Sequence, residues 1–403
     1  MSRTIEEHFY NELKDSPRPH YPFPDFVSPH MEELVAEYCQ WIDVDCQFES
    51  EKARERHKRH RLSDLAARGF PWLTLEELRP VARFTAFFAI LDDFMDRSSS
   101  GELQDVTRKV AALLTGQDDT EPGPGLFHQF YLIRQDAVTC GLPEHLYQQF
   151  VDSILALMEG YGEEKQYNAA GKPPPFPIFQ SIRQKSSGGV CFAKYVCMQK
   201  NYRLLPDEVL LHPNILRMHE LSGSLIGYHN DFISLPKELA RKGDVVNLII
   251  TVQHESGLSL LDACREALRI HDADLDEFIQ LQNSLPDFGP WQPAAQEYAR
   301  DLGIMVQGVY SWHTKSSGRY VPGAYVEPEH KKKADDDKGG SRLVVGGRRK
   351  VLGFQVWQHF GLLLCLFFGL ALWVGYTFTD CVEGLHELLH KCRSSIMASV
   401  REL

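Results

Sequence analysis

Apolar residues recur at three- and four-residue spacing through most of residues 1–325, and few stretches alternate strictly. That period marks amphipathic helices rather than strands. The clearest helix opens at Thr74-Leu75-Glu76-Glu77, where a hydroxyl and a carboxylate three residues apart can cap the first backbone donors. It runs through Phe84, Phe88 and Asp92 towards Arg97. Further helices are expected over 215–239, 259–283 and 292–317, with loops at 118–125 and 169–175. No repeat and no alternation of strands with helices interrupts the pattern, so the expected fold is an all-α bundle.

Two helix faces carry polar groups that invite chemistry. Asp92 and Asp96 stand four residues apart, one turn above Phe88 and Phe84 on the same face. Paired carboxylates repel unless a cation lies between them, and hard divalent ions such as Mg²⁺ take such oxygen ligands. The plain alternative is an acidic, solvated helix end over a core phenylalanine stripe. Asn230, Ser234 and Glu238 form a second stripe at i, i+4 and i+8. An amide oxygen, a hydroxyl and a carboxylate at consecutive turns could hold one side of a Mg²⁺ ion. The run before them, Leu221–Tyr228, is mostly apolar or small, which suggests a buried helix whose polar end faces a cavity.

Composition narrows the classes. The net charge of −12 argues against a nucleic-acid partner, which needs a basic face. Nine scattered cysteines without C-x-x-C make a disulfide scaffold or cysteine zinc site unexpected. No apolar segment opens the chain, so no signal peptide is expected. The charge is uneven: residues 1–325 carry −14 and residues 326–403 carry +2.

Taken together these motifs resemble the class I terpene cyclases. Asp92-Asp93-x-x-Asp96 is similar to that family's aspartate-rich motif, and Asn230-Asp231-x-x-Ser234-x-x-x-Glu238 to its second metal motif. Arg183, 47 residues before Asn230, stands where the family places a diphosphate-sensing arginine, with Gly188-Gly189 as the helix break beside it. Arg319-Tyr320 resembles the pair that closes over diphosphate near the domain's end. The likeness covers roughly residues 20–325 and is closest to microbial sesquiterpene cyclases, more fungal than bacterial.

The resemblance implies a helical bundle around a central cavity and a Mg²⁺-dependent cyclase acting on farnesyl diphosphate. Asp92, Asp96, Asn230, Ser234 and Glu238 would bind three Mg²⁺ ions, with Mn²⁺ as a substitute. Arg183, Lys237, Arg319 and Tyr320 would hold the diphosphate. Phe84, Phe88 and Trp312 would line a dry cavity for a carbocation. A helix reaching Arg319 would put Trp312 on its face. Pro236 inside the second motif is expected to kink that helix and disturb Glu238. The alternatives are a chain-elongating isoprenyl diphosphate synthase and a non-catalytic membrane-anchored helical protein.

Other signals carry less. His386-Glu387-Leu388-Leu389-His390 has the zinc-protease spacing but reads as an amphipathic tail helix over 380–403. The basic run from Lys52 to Arg61 reads as a solvated helix face, and Asp272–Asp276 as a surface turn into a helix. A polar and basic linker is expected over 326–350. Residues 351–379 contain no Lys, Arg, Asp or Glu. At ~1.5 Å per residue they are long enough for a ~30 Å hydrocarbon layer. With Arg348-Arg349-Lys350 before it, this run reads as a transmembrane helix tying a cytoplasmic domain to the endoplasmic reticulum. A further buried helix or a translated intron are the other readings of that tail.

Overall fold

The computed structural model describes residues 2–321 and 324, apart from 140, 200, 201 and 242. The linker, the apolar run over 351–379 and the His386–His390 motif lie outside the described residues. In chain order the helices are α1 (Ser2–Glu12), α2 (Met31–Val44), α3 (Glu51–Arg59), α4 (Leu62–Gly69), α5 (Leu75–Arg97), α6 (Ser100–Thr115), α7 (Leu126–Thr139) and α8 (Glu144–Ala170). They continue as α9 (Phe176–Ser186), α10 (Gly189–Cys197), α11 (Asp207–Leu210), α12 (Pro213–Ala240), α13 (Leu248–Ser256), α14 (Leu260–Asn283) and α15 (Gln292–Ser311). No strand occurs among the described residues, and none of their helices is long and apolar enough to cross a membrane.

The long helix α12 is the axis of the bundle. It packs against α1, α9, α10, α14 and α15, and most of its residues from Ile215 to Pro236 are buried. Small residues permit this crowding. A Cβ on Gly227 would come within 2.8 Å of the Arg183 side chain on α9, so only glycine lets the two helices meet there. On the other side, α5 packs against α2, α4 and α7, while α8 packs against α6, α9 and α10. The α5 capping box forms as its sequence requires: Thr74 Oγ1 accepts from the Glu77 N–H, and Glu77 accepts from the Thr74 N–H at 3.0 Å.

Pro236 does not stop α12, which continues to Ala240. A proline lacks the N–H that would bond the carbonyl four residues earlier. That carbonyl belongs to Phe232, and the Arg18 guanidinium donates to it instead. The vacancy in the ladder is filled from the N-terminal segment, so Glu238 keeps its helical place.

Three expectations are corrected. The last long helix ends at Ser311; Trp312–Ser316 is one wider π turn and Gly318–Tyr320 a 3₁₀ turn. Trp312 and Arg319 therefore share a cavity but not a helix face. Asp272–Asp276 lies inside α14 rather than in a turn. The basic run forms α3 with a largely open face, yet His57 and His60 are buried. Both face inwards where α3 supports the Trp312–Tyr320 segment.

Candidate active site

The break between α9 and α10 positions the first cation. Gly188 has φ 74°, a left-handed conformation that glycine adopts without strain, and a Cβ there would strike the Phe88 ring. This turn leaves Arg183 buried against α12. Its Nε donates to Asp231 Oδ1 at 2.9 Å, and its Nη2 to the same oxygen at 2.6 Å and to Asn230 Oδ1 at 2.9 Å. Its Nη1 faces Ser186 Oγ at 3.3 Å and Glu164 Oε1 at 3.4 Å. Asp231 is fully buried and also accepts the Leu248 N–H at 2.9 Å, which ties α12 to the start of α13. Burial pushes the Asp231 and Glu164 carboxyls up to about 7, against the pull of Arg183. The Arg183 guanidinium stays charged: burial opposes its charge, but the surrounding carboxylates hold it above its ordinary value.

The second cation comes from the chain's far end. Arg319 Nη2 donates to Asp92 Oδ2 at 2.6 Å and to Asp93 Oδ1 at 2.7 Å. Burial alone would raise the Asp93 carboxyl, but the charge and hydrogen bond of Arg319 hold it below the usual carboxylate range. Trp312 is fixed from behind: its Nε1 donates to the His60 and Arg61 carbonyls at 3.1 and 2.9 Å. The two carbonyls lie at the junction of α3 and α4, His60 closing the first helix and Arg61 opening the second. Burial lowers His57 to about 4 and His60 to about 2, so both imidazoles are neutral beside Arg319.

One cavity collects these groups. Its lining includes the polar groups of Asp92, Asn230, Lys237, Glu238, Arg183, Arg319 and Tyr320 and the apolar side chains of Phe88, Phe192, Ile226, Val309 and Trp312. Phe84, expected in the wall, is not there. It lies 1% exposed behind Phe88, packed among Phe150, Phe192 and Tyr195, as an ordinary core ring. Asp96 lies on α5, but its side chain falls outside the described residues. The cavity holds about 140 Å³. Small-molecule sites usually offer ~300–1,000 Å³. Arg319 lies across the α5 carboxylates at this cavity, bonded to Asp92 and Asp93.

The α12 stripe suits a hard cation. Ser234 Oγ is buried, with the residue 1% exposed, and has no hydrogen-bond partner. An orphaned oxygen between an amide and a carboxylate is costly unless something electropositive meets it. Glu238 Oε2 accepts from Asn247 Nδ2 at 2.7 Å. Asn247 also caps α13 through its Oδ1 and donates to the Asp231 carbonyl at 2.9 Å. Asn247, Glu164 and His313 were missed by sequence reasoning. Each belongs to another element, and no local spacing marks it. Asp231 stands inside the second motif, so its place there was the available signal.

Residues 83–277 match the family model Terpene synthase family 2, C-terminal metal binding. The chain is 26% identical over 342 residues to pristinol synthase of Streptomyces pristinaespiralis, covering 82% of this chain and 87% of that one. It is 25% identical over 303 residues to Sesquiterpene synthase 9 of Postia placenta, covering 74% and 86%. Relatives from bacteria and fungi thus both appear. Among solved structures, hedycaryol synthase in complex with nerolidol superposes with a TM-score of 0.61 at 20% identity, over 74% of this chain and 99% of that one. Germacradien-4-ol synthase from Streptomyces citricolor gives 0.62 at 19%, over 74% and 98%. In motif order, helical fold and sequence, the chain resembles the microbial class I terpene synthases of the sesquiterpene-forming group.

Proposed function

We propose that this chain ionises farnesyl diphosphate and cyclises the resulting carbocation to a sesquiterpene, releasing diphosphate. One observation carries the reading. Oxygen-bearing side chains of α5 and α12 and two arginines, Arg183 buried and Arg319 partly buried, line one cavity together with Phe88, Phe192, Ile226, Val309 and Trp312. Asp92 and Asp96 on α5, with Asn230, Ser234 and Glu238 on α12, would hold a divalent metal, in our reading three Mg²⁺ ions with Mn²⁺ as a substitute. When bound, the metal supplies positive charge against the departing diphosphate.

The chain's own groups do the rest. Arg183 and Arg319 sit on carboxylates and an amide oxygen, and a diphosphate is a stronger acceptor for a planar guanidinium. Exchange of partners would free the metal-binding oxygens as the substrate enters. Lys237 and the Tyr320 hydroxyl add donors in the same cavity. Phe88, Phe192 and Trp312 offer π faces to the cation, and the Arg319–Tyr320 segment keeps water away.

The test incubates the full chain with geranyl, farnesyl or geranylgeranyl diphosphate and Mg²⁺, with volatiles read by gas chromatography–mass spectrometry. A sesquiterpene from the farnesyl substrate is expected. No terpene from any of the three would overturn the reading. We further propose that residues 1–325 are the catalytic domain, followed by a linker over 326–350 and a membrane anchor over 351–379. Pelleting of the full chain with membranes, lost on truncation at residue 325, is the expected result.

A further inference from the structure

Behind Asn230 lies a line of side chains that the motifs do not include. His313 Nε2 is 3.3 Å from Asn230 Nδ2 and 3.1 Å from the Tyr320 hydroxyl. His313 Nδ1 is 3.1 Å from His229 Nε2, and His229 Nδ1 is 2.8 Å from the Tyr21 hydroxyl. Tyr21 in turn faces His271 Nε2 at 2.9 Å and the Leu225 carbonyl at 3.1 Å. His271 Nδ1 ends the line, 3.0 Å from the exposed Asp272 carboxylate. Tyr21 and the three histidines are buried. An imidazole nitrogen that accepts a hydrogen bond leaves the ring's N–H on its other nitrogen, so the partners along the line fix each tautomer.

The two ends set the direction of every bond. A guanidinium only donates, so Arg183 at 2.9 Å identifies the Asn230 atom facing it as the oxygen. The Asn230 NH₂ group then faces His313 and Tyr320, donating to the Tyr320 hydroxyl at 3.0 Å. At the other end Asp272 takes the Nδ1 proton of His271, which leaves Nε2 to accept. The Tyr21 proton thus has two acceptors, His271 Nε2 and the Leu225 carbonyl. Its oxygen accepts the His229 Nδ1 proton, and His229 Nε2 accepts the His313 Nδ1 proton. His313 Nε2 is left to accept from Asn230 or Tyr320. The tautomers follow from this donor–acceptor balance. Turning His229 alone sets its Nε2–H against the His313 Nδ1–H, and turning His313 sets its Nε2–H against the Asn230 NH₂ group.

We propose that Tyr21, His229, His271 and His313 form a positioning relay that holds the Asn230 amide with its oxygen, not its NH₂ group, on the Arg183 side. The relay rests on the function proposed above, since an inverted amide would offer a metal ion two donors and no ligand. It acts through Asn230 and touches no reacting atom except at the His313 and Tyr320 edge of the cavity.

The wild-type chain tests it first. With ¹⁵N-labelled histidine, long-range ¹H–¹⁵N correlations are expected to show His229 and His313 as neutral Nδ1–H tautomers, assigned by single histidine substitutions. An Nε2–H tautomer at His313 would overturn the relay. Binding of inorganic pyrophosphate across a Mg²⁺ titration is the second readout. Tyr21→Phe removes the acceptor for His229 and is expected to raise the Mg²⁺ needed for half-saturation about 10-fold, the usual scale for a partner behind a metal ligand. Turnover at saturating Mg²⁺ should fall less. An unchanged Mg²⁺ requirement in folded Tyr21→Phe would overturn the relay. If that variant does not fold, the wild-type tautomers decide. Failure of the wild type to bind pyrophosphate at any Mg²⁺ concentration would instead overturn the function on which the relay rests.

Discussion

Ser234 and Phe84 show how far a single residue's role depends on its surroundings. Ser234 Oγ is buried without a partner, so Ser234→Ala removes an unsatisfied polar atom rather than a bond. Stability should stay level or rise by roughly 1 kcal/mol. The Mg²⁺ required for turnover should rise at the same time. Calorimetry beside a Mg²⁺ titration checks that opposed pair, and a fall in stability with no change in Mg²⁺ response would remove Ser234 from the metal site. Phe84 and Phe88 share one face of α5, but only Phe88 reaches the cavity. Phe84→Leu should cost roughly 1–2 kcal/mol of core packing and leave the product mixture intact. Phe88→Leu should alter that mixture. Product ratios by mass spectrometry distinguish the two.

At the scale of elements, α12 depends on a residue outside it. Pro236 leaves the Phe232 carbonyl without its helical donor, and Arg18 supplies one. Arg18→Ala should cost about 1.5–3 kcal/mol, the scale for a hydrogen bond to a charged group. In a Pro236→Ala background the backbone donor returns, and the same substitution should cost clearly less. A double-mutant cycle by denaturant unfolding measures that coupling. Additive costs would mean that Arg18 does not compensate for the proline. The break between α9 and α10 works in the same way: Gly188 and Gly227 have little meaning apart from the Phe88 and Arg183 side chains that approach them.

Across the whole molecule, buried titratable groups tie stability to pH. Burial holds His57 near 4, His60 near 2 and His313 near 3, and lowers His219, His229 and His271. Their unfolded counterparts titrate near ~6.5. Between those values the unfolded chain binds more protons, so these groups make stability rise with pH up to about 6.5. Glu164 and Asp231, raised to about 7, act the other way: folded, they hold protons that the unfolded chain has lost, and they favour the lower pH. Burial raises Asp64, Asp136, Asp274 and Asp301 as well, by less, and the six imidazoles with unfolded values near ~6.5 set the sign between pH 7 and 5. The thermal midpoint should fall as pH drops from 7 to 5, and scanning calorimetry across that range checks it. A flat or rising midpoint would mean the histidines are not buried as neutral rings.

The sequence by itself determined the helical class, the capped start of α5 and the two oxygen-bearing stripes, because those depend on i, i+3 and i+4 geometry within one helix. Arg183 and the glycines of the helix break came from the resemblance to the class I terpene cyclases rather than from local pattern. Tertiary structure decided what no local period encodes: that Phe84 turns to the core while Phe88 reaches the cavity, and that Trp312 and Arg319 line one cavity without sharing a helix. It also decided that Asp231, Glu164 and Asn247 hold the stripes in place, and that a line of histidines backs Asn230. Those contacts join residues up to 250 positions apart, as between Tyr21 and His271. They exist only once hydrophobic burial has brought the helices together, since a buried polar group takes whichever partner the packing provides.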